Sequence, residues 1–482
     1  MTLKDLSLEE IIKQIQSKKI TSEEVKQYFL GRIEKFDGSL NCFNYVNPDA
    51  SVGDSSAKLA GVPLGIKDIF CEKDIPTTAA STMLKDFIPP YNATTIDKLL
   101  AEGMTSIGKL NMDEFAMGTT GENSKTGPTV NPWGNNRIPG GSSSGSAAAV
   151  AAGLVPAALG TDTGGSLRQP ASMCNVVGFR PGYGRNSRFG IIPMASSFDC
   201  PGTITKTVKD SALLYTIMNG EDPKENTSLK GKDVIDFTIF DKKDLSGIKI
   251  GIPKEYFEEG LDSSVRKKIE ESINKCKELG AEIKEVSLPM TKYAIAAYYI
   301  IVPAEVSTNL GRLDGVRYGH NSIQAYNSMD ELYMNNRCEG LGKEAQRRSL
   351  VGAYVLSAGY YDAYYKKASQ VRTKIIDEFK DVFNDVDVLL TPPSPSPAWK
   401  IGEKSEDPLK MYLSDAYTIP ASLAGLPGIS VPAGFIEEEG ETLPIGVQFL
   451  AGSKEEQKLL QVSHIFEQAT QYGKKNPEGF ED

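Results

Sequence analysis

The chain has 482 residues and a formal net charge of −10, with 40% hydrophobic and 24% charged residues. This is an ordinary globular composition, which argues against intrinsic disorder and against a collagen-like chain. The acidic excess also makes nucleic-acid binding by this chain alone a poor hypothesis, because such binding depends on positive charge that neutralises phosphates.

The N-terminal part of the sequence predicts helices followed by short strands. Ser7 can cap a first helix, and Thr21 with Glu24 forms a capping-box pattern at the start of a second, amphipathic helix. Two short apolar runs, at 64–70 and 105–109, predict buried strands. Residues 1–10 are acidic where a secretory signal would be apolar, so we expect no such signal.

The middle of the chain is rich in glycine, with 16 of the 45 glycines between residues 118 and 202. Glycine permits backbone conformations and close approaches that other residues do not. Because apolar stretches interrupt this region, the pattern predicts a site built from backbone and not a flexible linker. The longest nearly apolar run, 147–159, is broken by glycine and proline and is too short to span a membrane, which takes about 18 apolar residues or more.

The second half predicts a mixed α/β arrangement. Alternating and amphipathic segments over 248–288 indicate a β-α-β unit, and later strands are expected near 386–390, 429–431 and 445–450. The proline-rich segment 391–397 predicts a loop. Six cysteines without a CxxC pair favour reduced thiols and a cytoplasmic location.

No internal repeat or clean domain boundary is visible, so the sequence predicts one large α/β domain over 1–482. Within it we expect N-terminal helices in 1–50 and a core at about 60–210. The remaining α/β segments are expected over 245–470.

Three segments contain the residue types that acyl transfer requires: GVPLGIKDIF (61–70), PGGSSSGS (139–146) and GTDTGGSLR (160–168). Burying a charged lysine is costly, and a buried lysine with a lowered pKa can act as a base. A serine hydroxyl needs such a base to become a nucleophile. Glycine-rich backbone around a serine can supply amides for an oxyanion hole.

Each segment taken alone has a less specific interpretation. Lys67 alone would be expected at the surface, and the two serine-glycine segments would be a flexible loop and a turn. A phosphate-binding loop would require a GxxxxGK[ST] pattern, which PGGSSSGS lacks. The chain has only two histidines, His320 and His464, so we expect neither a multi-histidine metal site nor a histidine base.

Together the three segments resemble the amidase signature family, whose members use a Ser-cisSer-Lys triad. The resemblance covers almost the whole chain and is most specific in GGSSSGSAAAVAAG (140–153) and GTDTGGSLRQPAS (160–172). It implies a single domain with a mixed central β-sheet covered by helices on both faces. The site residues that it implies are the nucleophile Ser166, the bridging serine Ser142 after a cis peptide bond, the base Lys67, and the oxyanion-hole amides of Thr163, Gly164 and Gly165.

Other segments narrow the resemblance to one branch of that family, the glutamine-hydrolysing A subunits of aspartyl/glutamyl-tRNA amidotransferases. The segments are ENSKTGPTVNPW (122–133), YGRNSRFG (183–190), RLDGVRYGH (312–320), VLSAGYYDAYYKKASQVRT (355–373) and SLAGLPGISVPAG (422–434). The branch implies that Arg348 binds the glutamine carboxylate, Asp415 binds its ammonium group and Tyr299 contributes a hydroxyl. Arg347 and Tyr298 stay open as alternatives one position away.

The same resemblance implies partners. A B subunit would bind tRNA and use ATP and Mg, and a small C subunit would complete a heterotrimer. This chain would carry no cofactor and would contact tRNA only indirectly. The sequence leaves open whether the target is Glu-tRNA(Gln), Asp-tRNA(Asn) or both.

Two alternatives remain beside this interpretation. A standalone amidase for small amides would share the triad and the fold, but would not need the charged pair Arg348 and Asp415. A catalytically inactive scaffold is disfavoured by the intact Lys67, Ser142 and Ser166.

The sequence also departs from the family pattern at a few positions. Ser144 stands where glycine is usual, Cys200 where glutamine is usual, and Thr203 where proline is usual. The changes within 196–203 put in doubt details of partner contact or of an ammonia path more than the triad. The sequence does not decide between these two.

Overall fold

Eleven β-strands form one mixed sheet in the computed structural model, which describes residues 2–257, 260–404 and 408–482. The strands are β1 (Phe43–Val46), β2 (Pro63–Lys67), β3 (Thr105–Leu110), β4 (Ala157–Thr161), β5 (Val177–Arg180), β6 (Pro201–Thr205), β7 (Lys249–Pro253), β8 (Glu282–Val286), β9 (Val388–Thr391), β10 (Gly428–Glu438) and β11 (Glu441–Ala451). Their order across the sheet is β1-β3-β2-β4-β6-β5-β10-β11-β9-β7-β8. The predicted fold class, a mixed sheet flanked by helices, is confirmed.

Fourteen α-helices are present in the described ranges, and several pack on the sheet, such as α4 on β4 and α5 on β10 and β11. The helices are α1 (Leu8–Gln16), α2 (Ser22–Leu40), α3 (Thr94–Ala101), α4 (Ser144–Ala151), α5 (Arg168–Cys174), α6 (Val208–Met218), α7 (Ser263–Glu278), α8 (Ala294–Leu310), α9 (Met329–Gly340), α10 (Lys343–Leu356), α11 (Lys367–Val382), α12 (Pro408–Leu413), α13 (Ile419–Leu423) and α14 (Glu456–Thr470). No helix of the described chain is both long and apolar enough to cross a bilayer.

Both predicted N-terminal helices begin at the expected caps. The Ser7 hydroxyl accepts from the amide of Glu10 at 3.2 Å. In the second helix, Thr21 accepts from the amide of Glu24 at 3.2 Å, and the Glu24 carboxylate accepts from the Thr21 amide at 2.8 Å. These reciprocal bonds satisfy amides that the first turn of a helix leaves free.

Parallel pairing in the first half of the sheet positions the site. Strand β2 lies between β3 and β4 and is parallel to both, so the carboxyl ends of these strands meet at one edge. The strand predicted over 64–70 ends earlier, at Lys67, because the chain turns there and the amide of Phe70 bonds back to the Lys67 carbonyl at 3.1 Å. Lys67 therefore terminates a strand and faces the loops beyond it.

The second half matches the predicted order with longer or shifted strands. Strands β7 and β8 are parallel and connected through α7, which confirms the β-α-β unit. The strands expected near 429–431 and 445–450 lie within the longer strands β10 and β11, mostly toward the end of their antiparallel hairpin that is away from its turn. Strand β9 extends to Thr391, so the predicted loop begins one residue later than expected.

Helices α8 and α10 cross at very short range. A Cβ atom built on Gly352 of α10 would overlap the carbonyl oxygen of Pro303 in α8, so only glycine permits this approach. Tyr299 and Arg348 each lie four residues, about one turn, before this crossing point in their own helices. The close crossing thus brings two predicted substrate-binding residues together.

Candidate active site

Lys67 lies at the carboxyl end of β2, beside the carboxyl end of the parallel strand β4. Its Nζ atom is 2.8 Å from the Oγ atom of Ser142. It is also 2.9 Å from Ser143 Oγ and 2.9 Å from Thr161 Oγ1. Three hydroxyl groups therefore surround the amine, and one of them belongs to the predicted bridging serine.

The surroundings of Lys67 favour its neutral form. The side chain is fully buried, and burial lowers the pKa of the ammonium group to about 7, although the carboxylates of Asp113, Asp162 and Asp199 act in the opposite direction. None of these carboxylates forms an ion pair with Lys67 within the described ranges. The amine is thus poised to exchange a proton near neutral pH.

The hydroxyl partners of Lys67 have different hydrogen-bonding roles. Ser143 donates its own hydroxyl proton to the carbonyl oxygen of Thr161 at 3.2 Å, and a hydroxyl has only one proton to give. The Ser143 oxygen is therefore an acceptor toward Lys67. This leaves the lone pair of a neutral amine free to accept the hydroxyl proton of Ser142, which is the role of a general base.

The loop that carries Ser142 has a cis peptide bond between Gly141 and Ser142, as the family resemblance implies. Contacts on both sides hold this bond. The Gly141 amide donates to the Oε1 atom of Gln169 at 3.0 Å, and the Ser142 carbonyl accepts from the Asp113 amide at 3.2 Å. The Asp113 carboxylate lies where a Cβ atom on Gly141 would stand, so a side chain at that position is excluded.

Ser166 lies on the turn that follows β4, next to the Ser142 loop. Its carbonyl oxygen accepts from the amide of Ser143 at 3.3 Å, which joins the two segments through backbone. The Ser166 side chain is 7% exposed, and its hydroxyl has no hydrogen-bond partner among the described residues. The turn thus presents a nearly buried hydroxyl that is free to attack a substrate.

An ion-pair cluster fixes the position of the turn. Arg168 contacts both carboxylate oxygens of Asp162 at 3.0 Å, and Arg180 lies 3.2 Å from the same carboxylate. All three side chains are fully buried. Burial alone would raise the pKa of Asp162, but the two arginines hold it well below its ordinary value. The charged carboxylate also accepts from the Leu167 amide at 3.3 Å, directly after Ser166.

The amides of Thr163, Gly164 and Gly165 remain available for a ligand. None of the three donates to an acceptor in the described part of the chain, whereas the amide of Asp162, just before them, donates to the Cys200 carbonyl at 2.9 Å. Free amides next to a nucleophile are what an oxyanion hole requires. Their predicted role is therefore compatible with the geometry.

The three predicted glutamine-binding residues lie together near the turn, to which Thr418, three residues after Asp415, is hydrogen-bonded. The hydroxyl of Tyr299 donates to Oδ2 of Asp415 at 3.0 Å, and the guanidinium carbon of Arg348 lies 5.2 Å from the Tyr299 ring centroid. Arg348 and Asp415 are 4% and 8% exposed. Burial raises the pKa of Asp415 to about 6. The site therefore offers one buried cation and one buried anion.

Arg348 keeps its terminal nitrogens free. Its Nε atom donates to Glu344 at 2.8 Å, and neither Nη atom has a partner within the described ranges. The same Glu344 carboxylate accepts from the Tyr412 hydroxyl at 2.9 Å, and Tyr412 stacks on Tyr299 with ring centroids 3.9 Å apart. The guanidinium group is thus held in place while the side that can clamp a carboxylate stays open.

The geometry favours Tyr299 and Arg348 over their neighbours. Arg347 is 43% exposed and pairs with Glu344. Tyr298 is buried against the nucleophile turn, where a Cβ atom on Gly164 would lie 2.5 Å from its hydroxyl. In the described chain, Tyr298 forms no hydrogen bond with Asp415, whereas Tyr299 does.

Two chains of hydrogen bonds join the charged pair to the triad, through residues that the sequence did not single out. Thr119 donates from Oγ1 to Asp415 at 2.7 Å, and its carbonyl accepts from Gln169 at 2.9 Å. Gln169 in turn accepts from the cis-peptide loop. On the other path, Thr418 donates from Oγ1 to the Gly164 carbonyl at 2.6 Å. For Gln169 the position within GTDTGGSLRQ was a usable signal, but Thr119 and Thr418 carried none.

The three sequence departures lie inside the fold. Ser144 is fully buried at the start of α4, with Oγ 3.2 Å from Thr129 Oγ1. Cys200 is buried and its thiol bonds to the Pro181 carbonyl at 3.2 Å, while Thr203 on β6 is buried and bonds to Ser211 at 3.1 Å. Their side chains therefore contact this chain and not a surface that a partner could reach.

No group of three or more His, Cys, Asp or Glu side chains in the described ranges could hold a metal ion. Apart from the structural cluster of Asp162 with two arginines, the site contains hydroxyls, backbone amides, the amine of Lys67 and the buried charges of Arg348 and Asp415. This set can activate a serine, stabilise an oxyanion and orient an amide substrate that carries both a carboxylate and an ammonium group.

Comparison with known proteins agrees with this chemistry. A model of the amidase family matches residues 24–460. The A subunit of the glutamyl-tRNA(Gln) amidotransferase of Pseudomonas aeruginosa is 47% identical over 489 residues, which cover 99% of this chain and 100% of the relative.

Solved structures show the same similarity. The crystal structure of the glutamyl-tRNA(Gln) amidotransferase A subunit from Thermotoga maritima has a TM-score of 0.83 and 40% identity, covering 97% of this chain and 95% of that one. A bacterial aryl acylamidase of the amidase signature family has a TM-score of 0.81 and 26% identity, covering 97% of each chain. Full-length relatives, a family match over most of the sequence and a lysine-serine site at the matching motifs together show that this chain belongs to the amidase family.

Proposed function

We propose that the chain is the glutamine-hydrolysing subunit of a tRNA-dependent amidotransferase, with Ser166 as its nucleophile. The observation that carries this proposal is the buried Lys67–Ser142 contact beside the Ser166 turn, with Arg348 and Asp415 near the same turn. Amide-cleaving groups and two opposite charges in one site fit an amide that is also a free amino acid.

The first half of the proposed reaction forms an ester on Ser166. The Ser166 oxygen attacks the side-chain carbonyl of glutamine, its proton passes to Ser142, and the proton of Ser142 passes to Lys67. The amides of Thr163, Gly164 and Gly165 stabilise the oxyanion that develops on the substrate. When the tetrahedral intermediate collapses, the carbon–nitrogen bond breaks and the proton returns through Ser142 to the departing ammonia.

The second half releases glutamate. A water molecule attacks the ester carbonyl and gives one proton to Lys67 through the same serine relay. The carbon–oxygen bond to Ser166 then breaks, and Ser166 recovers a proton from the relay. Lys67 begins and ends neutral, so the cycle consumes one water and one glutamine and yields one glutamate and one ammonia.

The charged pair orients the substrate. The free terminal nitrogens of Arg348 bind the α-carboxylate of glutamine in a fork geometry. Asp415 binds the α-ammonium group, and the hydroxyl of Tyr299 holds the Asp415 carboxylate in position. A standalone amidase for neutral amides would have no use for a buried cation and a buried anion at these positions.

The complex would supply the remaining chemistry. In this proposal, ammonia passes to a B subunit that binds Glu-tRNA(Gln), with Asp-tRNA(Asn) as a second candidate target, and that activates the carboxylate with ATP and Mg. A small C subunit completes a heterotrimer in the cytoplasm. The net charge of −10 supports a division of labour in which tRNA is bound mainly by the partner.

The distribution of exposed apolar side chains supports the proposal that this chain binds a partner protein. In the described ranges, fourteen of the twenty large hydrophobic side chains that are well exposed lie between residues 316 and 413. They include Ile323 at 101% and Leu350 at 72% exposure, and three tyrosines whose rings touch, Tyr354, Tyr360 and Tyr364. Exposed apolar side chains that contact one another, as these three tyrosines do, are typical of a protein-binding surface.

The test is to purify the tagged chain gently from its own cells, identify what accompanies it and assay ammonia release from glutamine. We expect two stoichiometric partners, glutamine hydrolysis by the complex, and loss of that hydrolysis in Ser166→Ala. Recovery of the chain alone, with turnover of small neutral amides and none of glutamine, would instead establish a standalone amidase.

A further inference from the structure

We propose that Asp199 is a positioning residue for the oxyanion hole and acts through the hydroxyl of Thr163; this inference rests on the proposed function of the Ser166 turn. Asp199 lies outside the triad and, in the described ranges, bonds to neither Arg348 nor Asp415. Its link to the site is a hydrogen bond of 2.7 Å from Thr163 Oγ1 to Asp199 Oδ1, between two buried side chains.

Asp199 is held in place independently of Thr163. Its carboxylate accepts from the amide of Met194 at 3.0 Å and from the amide of Ala195 at 3.1 Å. Its own amide donates to the Ala195 carbonyl at 2.9 Å. The carboxylate is therefore a fixed point of the 194–199 loop, against which another group can be aligned.

The turn is anchored on both sides of Thr163, but not at Thr163 itself. The preceding residue, Asp162, is fixed by Arg168 and by the Cys200 carbonyl, and the carbonyl of the following residue, Gly164, accepts from Thr418. The Thr163 amide bonds to nothing in the described chain. The side chain of Thr163 is thus what remains to orient its peptide group.

A threonine side chain is suited to this task. Because its Cβ atom is branched, χ1 has few allowed values, so fixing the oxygen restricts the backbone of the same residue. The hydroxyl has a single proton, and that proton goes to Asp199. The Thr163 hydroxyl therefore cannot donate to an oxyanion, and its contribution is to aim the amide.

This assignment predicts a loss in turnover without a loss in substrate binding. A misdirected oxyanion-hole donor weakens stabilisation of the transition state, while Arg348 and Asp415 still bind the ground state. Removing one such donor outright costs about 100- to 1000-fold in kcat. When the donor is present but misaligned, kcat should fall less, by about 10- to 100-fold.

The experiment compares Thr163→Val, Thr163→Ser, Asp199→Asn and the double variant Thr163→Val/Asp199→Asn in the purified complex. Ammonia release from glutamine gives kcat and KM, and thermal unfolding monitors the fold. We expect Thr163→Val and Asp199→Asn each to lower kcat about 10- to 100-fold with KM changed less than threefold. Thr163→Ser, which keeps the hydroxyl, should retain kcat within about threefold.

The double variant separates a coupled pair from two independent defects. If Asp199 acts through Thr163, the double variant loses no more kcat than the worse single variant, whereas independent effects would multiply. Full kcat in Thr163→Val, equal losses in Thr163→Val and Thr163→Ser, or multiplying losses would overturn the inference. Ser166→Ala is the reference: undiminished ammonia release in that variant would overturn the proposed function itself, whatever the Thr163 variants do.

Discussion

Thr418 donates a hydrogen bond of 2.6 Å from Oγ1 to the carbonyl oxygen of Gly164. This bond ties the segment that carries Asp415 to the turn that carries Ser166, over a separation of 254 residues. The same hydroxyl occupies the position where a Cβ atom on Gly165 would stand. The substrate-binding side and the reacting side of the site are therefore aligned through one threonine.

This relationship predicts that Gly165→Ala loses nearly all activity. The added methyl would overlap Thr418, and Gly165 has φ +141°, which side-chain-bearing residues rarely adopt. We expect kcat for glutamine to fall at least 100-fold. Gly38→Ala is the matched control, since Gly38 lies on α2 with open space around it, and it should keep full activity. Comparable activity in the two variants would contradict the alignment argument.

The buried amine predicts a pH dependence. Lys67 must be neutral to accept a proton, and burial lowers its pKa to about 7, so kcat/KM should rise as the pH increases through about 7. Asp415 must be charged to bind an ammonium group, and its pKa is raised to about 6, so it adds a second rise through about 6. A pH profile of kcat/KM for glutamine measures both, and Asp415→Asn should remove only the lower one.

Two substitutions of Lys67 separate a base from a mere positive charge. Lys67→Met keeps an unbranched chain without an amine, and Lys67→Arg keeps a cation that cannot be deprotonated in a protein. We expect both to lower kcat by more than 1000-fold, because neither can accept a proton from Ser142. Substantial ammonia release by Lys67→Arg would contradict the base assignment and favour a purely electrostatic role.

Short sequence motifs were enough to predict part of this site. Lys67 in an apolar strand and the serines of two glycine-rich segments were recognisable from the sequence, and the structure brings Lys67 to 2.8 Å from Ser142. The bond from Arg348 to Glu344 spans four residues of one helix, so helical spacing could have indicated it. These contacts are encoded within single elements or motifs.

Other contacts depend on the folded topology. Thr119 reaches Asp415 across 296 residues, and Tyr412 stacks on Tyr299 from a different helix. Strand β6 was missed because PGTIT begins with proline and glycine, which are disfavoured in strands. Such residues acquire their roles only when the sheet and the α8–α10 crossing place distant segments side by side.

Ser144 allows a test of one departure from the family pattern. It begins α4, where glycine would remove the contact with Thr129 and add backbone freedom. Glycine within a helix costs about 0.5–1 kcal/mol relative to alanine. We expect Ser144→Gly to lower Tm by about 1–2 °C with unchanged ammonia release. The Tm of Ser144→Ala should lie between those of Ser144→Gly and the unsubstituted protein. An equal or higher Tm in Ser144→Gly would show that the serine does not stabilise this helix.

Arg348 and Arg347 form a natural pair for testing substrate recognition, because they are adjacent in sequence and differ in burial. Arg348 lies over the Tyr299 ring with its terminal nitrogens open, whereas Arg347 is 43% exposed and pairs with Glu344. Losing charged hydrogen bonds to a carboxylate costs roughly 1.5–3 kcal/mol, so Arg348→Ala should raise the glutamine KM about 10- to 100-fold. Arg347→Ala should leave it within twofold. Steady-state kinetics with glutamine decides the matter, and equal KM values for the two variants would show that the α-carboxylate is bound elsewhere.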